Sequence, residues 1–262
     1  MGRRLVFFGE KPLGARALER VLAERDIDVA GVVTRKPTPD VWWGRQRVRE
    51  LAIEHGIPLL GRRDVLALGR VDIVLSVLCP WVIEPEILTR ATIAAVNLHQ
   101  APLPEYRGCN GASHAIIDGA CTWGGTLHLM SAELDRGDII EKRLFPVRPG
   151  VTARELYDEN DDNCDAILRD NLGAIIEGRF TATPQDPRAR SYLHGRDSLR
   201  DKRADLDWDD ERLDRFVRGL EFPPFEPAYF VAGGAKVHLT RANWREVRAA
   251  LVAKARPDVE RA

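Results

Sequence analysis

Along the first half of the chain, apolar positions switch between two rhythms. Residues 4–8 form an apolar run of strand length, residues 13–25 carry apolar side chains at helical spacing, and residues 29–34 return to a strand. Lys36-Pro-Thr-Pro-Asp40 breaks the pattern before a helix resumes over 45–54. A β-branched run at 71–78 reads as a central strand. A short helix near 84–90 and a wholly apolar strand at 93–96 follow. This alternation predicts an α/β fold with a Rossmann-like, mostly parallel sheet and helices on both faces.

The second half is less regular. Gly124-Gly-Thr-Leu-His-Leu-Met130 alternates like another strand. Residues 152–176 read as a long helix, with Thr152 as N-cap and Glu155 completing a capping box. Near 181–203 the pattern dissolves into Pro, Arg and Ser, which divides the chain into a main domain, 1–180, and a small C-terminal subdomain, 181–262. Within the latter, 209–220 is a short amphipathic helix, Gly233-Gly234 signals a β-hairpin, and the charged stretch 241–262 reads as a helix with a frayed end. No internal repeat is evident.

Two polar residues stand out against this background. Asn97 and His99 follow the apolar 93–96 run at alternate positions, which in an extended backbone puts them on one face. Ligands bind at the C-terminal ends of strands in open α/β sheets. An amide and an imidazole converging there can stabilise an oxyanion and carry a proton. The plain alternative is that they satisfy the backbone of the Pro-rich loop that follows. Asp135 lies in the polar turn Glu133-Leu-Asp-Arg-Gly-Asp138, where its carboxylate can reach and orient the His99 ring, or can be an ordinary turn aspartate.

Asn97-x-His99, Leu103-Pro104, Tyr106-Arg107-Gly108, Gly125-Thr126 and Leu134-Asp135-x-Gly137-Asp138 together resemble the folate-dependent formyltransferases. That family acts on methionyl-tRNA, on glycinamide ribonucleotide and on nucleotide-linked amino sugars. The resemblance runs from about residue 4 to residue 180. It implies a formyltransferase catalytic domain in which Asn97, His99 and Asp135 are catalytic and N10-formyltetrahydrofolate is the formyl donor. On the same ground Leu78, Cys79, Pro80 and Trp81 line the donor slot, joined by Asp138. Trp81 has core packing as its alternative. Gln100-Ala101 departs from the small polar pair usual at this point of the family.

Substrate-side candidates are more open. Gly9 and Lys11 lie in the turn from the first strand to the first helix, a usual place for a phosphate. No G-x-G-x-x-G is present, and Lys11 can equally be a solvated loop lysine. Arg107 can hold a phosphate or shape its own loop. Phe222, Phe225 and Tyr229 form a proline-stiffened aromatic group that can stack on a base or staple the small subdomain. His114 and His128 fall within helix and strand patterns and read as structural.

Charge and composition narrow the partners. The 262 residues are 44% hydrophobic and 30% charged with a net charge of −1, so no global field draws the chain to nucleic acid or membrane. No run is apolar enough to span a bilayer and no secretory signal is visible. Cys79, Cys109, Cys121 and Cys164 are irregularly spaced, as expected of reduced thiols in a cytoplasm. A zinc site joining them to His114 and His128 is disfavoured without a Cys-x-x-Cys pair.

The resemblance is strongest to the sugar N-formyltransferases. It implies formyl transfer to the 4-amino group of a nucleotide-linked 4-amino-4,6-dideoxy sugar, either GDP-perosamine or a dTDP-aminosugar, for O-antigen or related glycans. Two alternatives stand beside it: methionyl-tRNA formyltransferase, and a non-catalytic sensor of folate or nucleotide. Asp205-Leu-Asp-Trp-Asp-Asp-Glu211 is a poor surface for tRNA. The sugar enzymes also imply a homodimer, for which 228–231 and 237–239 would suit an interface or close the chain's own core.

Overall fold

The apolar run at the start of the chain becomes β1 (Arg3–Gly9), the second strand of a six-stranded sheet. The computed structural model describes residues 2–36, 42–45 and 47–255. After β1 come α1 (Lys11–Ala23), β2 (Ile27–Val33), α2 (Arg47–Glu54), β3 (Val71–Val77), α3 (Pro85–Leu88) and β4 (Ala91–His99). A short β5 (Tyr106–Gly108), α4 (Gly111–Asp118), β6 (Thr122–Leu129), β7 (Ile139–Pro146) and α5 (Ala153–Glu177) continue the chain. The remainder holds β8 (Tyr192–His194), α6 (Asp210–Leu220), β9 (Tyr229–Ala232), β10 (Ala235–His238) and α7 (Trp244–Ala255).

The sheet order is β2-β1-β3-β4-β6-β7, and β2, β1, β3 and β4 run parallel while β6 is antiparallel to β4. The parallel strands are apolar because both of their faces are covered. Leu5 and Phe7 pack with Leu13, Leu18 and Leu168 on one face, while Val6 and Phe8 pack with Ile83 and Ile87 on the other. Buried Asp72 in β3 is the polar exception. Burial alone would raise its pKa, but hydrogen bonds from the Arg4 N–H, Thr92 and Arg70 outweigh that and hold it below the usual carboxylate value.

The chain forms two compact units. The first comprises Met1–Gly108, Gly124–Phe145 and Glu159–Leu193; the second comprises Cys109–Trp123, Pro146–Asp158 and His194–Ala262. The second unit has its own core of Leu213, Val217, Leu220, Ala228, Phe230, Leu239 and Trp244. There Ala228, Phe230 and Leu239 of the β9–β10 region fill the unit's own interior, while Val231 is exposed. The β9–β10 hairpin turns through Gly233 and Gly234, both at positive φ, as their pairing in sequence predicts.

The mixed, mostly parallel sheet is the expected one. The Thr152–Glu155 capping box also forms: the Thr152 N–H donates to Glu155 Oε2 at 2.8 Å and the Glu155 N–H to Thr152 Oγ1 at 3.3 Å. Several boundaries differ. β4 starts earlier than 93 because its ladder with β3 already begins at Ala91, paired to Val71, with a register shift before Ala94. The helix expected near 84–90 is one turn, and that expected over 241–262 runs over Trp244–Ala255. Residues 37–40 of the predicted break, like 256–262, lie outside the described residues. Among the described residues no helix is long and apolar enough to cross a membrane.

Candidate active site

The parallel register brings three strand ends to one edge of the sheet. Gly9 of β1 lies beside Val77 of β3, and Ser76 and Val77 lie beside Asn97 and Leu98 of β4. Burial alternates along the end of β4: Val96 and Leu98 point into the core, while Asn97 and His99 share the half-buried opposite face. The antiparallel neighbour then sets Asn97 directly opposite His128, and His99 opposite Thr126.

Each polar group here has a defined partner. The His99 Nε2–H donates to the Tyr106 carbonyl at 2.8 Å, which turns Nδ1 toward Asp135 Oδ2, 3.9 Å away. Asp135 is buried and takes φ +54°, a left-handed conformation that aspartate tolerates better than most residues. Its Oδ2 accepts the Gly108 N–H at 2.8 Å. Its Oδ1 faces His128 Nε2 at 3.8 Å, so the two carboxylate oxygens address two different imidazoles. The rings of His99 and His128 meet edge-on, with centroids 6.5 Å apart.

The strand pattern gives His128 a structural part, and the structure places it within this group. Its Nδ1–H donates to the Leu129 carbonyl at 2.7 Å, leaving Nε2 to accept from Asn97 Nδ2 at 3.1 Å. Burial pushes the His128 pKa down to about 4, with the neighbouring His99 acting in the same direction against the pull of Asp135. The ring is therefore neutral at physiological pH and its Nε2 is an acceptor. That state fixes which way the Asn97 amide faces. The signal for this role is cross-strand pairing, which spacing within one strand does not carry.

The loop after β4 is tied down by fully buried Thr126. Its Oγ1 accepts the Leu103 N–H at 3.0 Å and donates to the Ala101 carbonyl at 2.8 Å. The unusual Gln100 donates to Asp161 Oδ1 at 2.5 Å, and its carbonyl accepts Asn160 Nδ2 at 3.1 Å, so α5 holds this residue from both ends. Gly137 is required by close approach: a Cβ there would stand 1.8 Å from the Leu129 carbonyl oxygen.

The remaining predicted residues are placed as follows. Leu78 turns the chain at φ +53° just past β3, and Trp81 packs with Cys79 against the Val6–Phe8 face beneath the Arg62 guanidinium. Pro80 lies between them in sequence, half-buried, and Asp138 offers its carbonyl to the Leu129 N–H. Lys11 opens α1 at φ +64°, its ammonium 5.7 Å from the Trp42 ring and 5.9 Å from that of Trp43. Arg107 donates to Ser191 Oγ at 2.9 Å and to the Leu134 carbonyl at 3.4 Å. In the second unit Phe222 meets Phe225 at 5.8 Å and Tyr157 at 5.4 Å. Tyr229 is not part of that group and sits with His238 and Lys236 on the hairpin.

This geometry offers an amide donor, an imidazole and a buried carboxylate at one sheet edge, with His128 behind them. Residues 62–171, which contain all four groups, match the family described as formyl transferase. That match gives residues 62–171 of this chain a formyl transferase domain. Among curated relatives, the methionyl-tRNA formyltransferase of Lysinibacillus sphaericus is 28% identical over 250 residues, covering 89% of this chain and 77% of the relative. The fold is similar to that of a 4-N formyltransferase from Francisella tularensis, with a TM-score of 0.78 at 16% identity over 91% of this chain and 96% of the other. It is also similar to an N-formyltransferase from Helicobacter canadensis in complex with folinic acid and dTDP-3-aminofucose. There the TM-score is 0.72 at 17% identity, over 90% of this chain and 86% of the other. The Asn-His-Asp set of this domain is assembled within the first unit alone.

Proposed function

We propose that this enzyme moves a formyl group from N10-formyltetrahydrofolate to the 4-amino group of a nucleotide-linked 4-amino-4,6-dideoxy sugar, with GDP-perosamine and dTDP-aminosugars as the candidate acceptors. The observation that carries the reading is the convergence of Asn97, His99 and Asp135 at the C-terminal edge of the sheet. The acceptor amine attacks the formyl carbon and the carbonyl oxygen becomes an oxyanion. One Asn97 N–H is committed to His128. The other hydrogen on the same nitrogen is left for that oxyanion, and losing such a donor costs ~3 kcal/mol of barrier.

Proton movement falls to His99. Its Nε2–H is committed to the Tyr106 carbonyl, so the exchanging atom is Nδ1, the one that faces Asp135. In the proposed sequence the amine proton passes to Nδ1 and then to the departing N10 as the old C–N bond breaks. Asp135 orients the ring and balances its charge while the proton is held. Leu78, Cys79, Pro80, Trp81 and Asp138 are proposed to hold the donor, and Gly9 and Lys11 the acceptor's phosphates.

Two features support a sugar acceptor. The likeness to a fold that holds an aminosugar nucleotide covers nine-tenths of this chain. The net charge of −1 supplies no field for tRNA. The acidic run is also spent locally, since Asp209 caps α6 and Asp210 pairs with Arg248. Methionyl-tRNA is the second reading, because curated relatives carry that name. A pure sensor would gain little from an oriented imidazole. The test is tetrahydrofolate release, followed by absorbance, against GDP- and dTDP-linked 4-amino sugars and against methionyl-tRNA, with His99→Asn as control. Turnover on one sugar that vanishes in the variant is expected. Turnover on methionyl-tRNA alone would overturn the sugar assignment, and donor binding without turnover on any acceptor would overturn catalysis.

A further inference from the structure

The left-handed Asp135 is gripped by a residue far from it in sequence. Thr183 forms an isolated antiparallel bridge with Ile139, each N–H donating to the other's carbonyl at 2.8 Å. This bridge delivers Gln185 to the turn that carries Asp135. There Gln185 Nε2 donates to the Asp135 carbonyl at 2.9 Å and to the Gly137 carbonyl at 2.8 Å. A single –NH2 group thus spans the backbone on both sides of Arg136 and uses both of its hydrogens. Meanwhile Gln185 Oε1 is buried with no hydrogen-bond partner, so the amide is held there by what its nitrogen does.

We infer that Gln185 is a positioning residue for Asp135 and through it for His99. Aspartate at φ +54° is in a sparsely populated region and keeps that conformation only when its surroundings over-determine it. The Gly108 N–H fixes the carboxylate. The Gln185 amide fixes the backbone beneath it. Without the second anchor the turn has a cheaper conformation, and Oδ2 leaves the direction of His99 Nδ1. A misplacement of about 1 Å in such an array lowers turnover on the order of a hundredfold.

The chemistry of the contact selects its own test. Gln185→Glu is nearly isosteric but sets an anion against two carbonyls, and Gln185→Leu removes the donor without charge. Expected for both is a fall in kcat of about tenfold or more, with KM for the formyl donor within about twofold and an unchanged circular dichroism spectrum. The kinetic arm rests on the formyl-transfer reading, and it is run with whichever acceptor the natural enzyme uses. A second arm does not: in 15N-labelled protein without substrates, the His99 ring signals should differ between the natural protein and both variants. Unchanged His99 signals in Gln185→Leu, or a kcat that stays within twofold, would overturn the assignment. If no acceptor is turned over, the spectra alone decide, so failure of the functional reading is distinct from failure of this one. If Gln185→Glu does not fold, Gln185→Leu carries both readouts.

Discussion

The amide of Asn97 donates to Nε2 of His128 across the β4–β6 pair at 3.1 Å, and it can do so only while that nitrogen carries no proton. The tautomer is fixed from the other side by the Nδ1–H bond to the Leu129 carbonyl. Protonating His128 would turn its Nε2 from acceptor to donor and set two donors face to face.

This makes acid sensitivity a property of one residue. The His128 pKa in the folded protein is about 4, below its ordinary 6.5, so the unfolded chain takes up the proton first. Stability from this group is complete above pH 6.5 and is lost as pH falls toward 4. At pH 4.5 the loss amounts to roughly 2.5 kcal/mol at 1.36 kcal/mol per unit. His114, also pushed down to about 4 by burial and by the charge of His194, titrates in the same window. Denaturant unfolding at pH 7.5 and 4.5 should therefore show a drop in the natural protein that His128→Gln reduces by about that amount but does not abolish. An equal drop in both proteins would rule out a buried neutral His128.

Removing the amide should act on turnover and spare folding. Asn97 is half-buried at a strand end and opposes a polar partner, so Asn97→Ala leaves no packed cavity. The expected loss in kcat is about 10²- to 10³-fold, the usual effect of deleting one oxyanion donor, with little change in KM. Equal rises in KM and falls in kcat would move Asn97 from transition-state stabilisation to substrate binding.

How far the sequence can be read follows from the range of each interaction. Asn97 and His99 are legible because alternation within one strand is a local rule, and Asp135 because a Gly-containing turn announces itself. His128 is not, since nothing within 124–130 says which residue lies across the ladder. Gln185 lies in a stretch without periodicity, and only the Thr183–Ile139 bridge brings it to the site. The parallel core is visible in its apolar runs. The ends of α3 and α7 are less so, because capping and fraying decide them within a residue or two. The family resemblance reaches Asn97, His99 and Asp135 but says nothing of Gln100, whose contacts to Asp161 and Asn160 become apparent only once α5 is placed.

Charge and shape at Asp135 can be separated by one substitution. Asparagine also tolerates the left-handed conformation, and its side-chain oxygen can still accept the Gly108 N–H. Asp135→Asn should therefore fold normally while presenting an amide in place of an anion to the two imidazoles. A fall in kcat on the order of 10²-fold is expected, within the range for a disabled acid–base pair. Activity within threefold of the natural enzyme would mean that the carboxylate's charge is not used.

Two glycines give opposite signs from the same mutation. Gly137 has the Leu129 carbonyl oxygen 1.8 Å from where a Cβ would stand, so Gly137→Ala must displace backbone next to Asp135. It should lose at least about 1–3 kcal/mol of stability, as overpacking does, together with most activity. Gly173 lies in α5, is exposed, and has nothing within 4 Å of the place an added methyl group would take. Gly173→Ala should gain about 0.5–1 kcal/mol by reducing the freedom of the unfolded chain and improving helix propensity, with turnover unchanged. Thermal unfolding and kcat measured on both variants check the pair. A neutral Gly137→Ala would show that the Asp135 turn can relax away from Leu129, and the close approach would then not be what holds it.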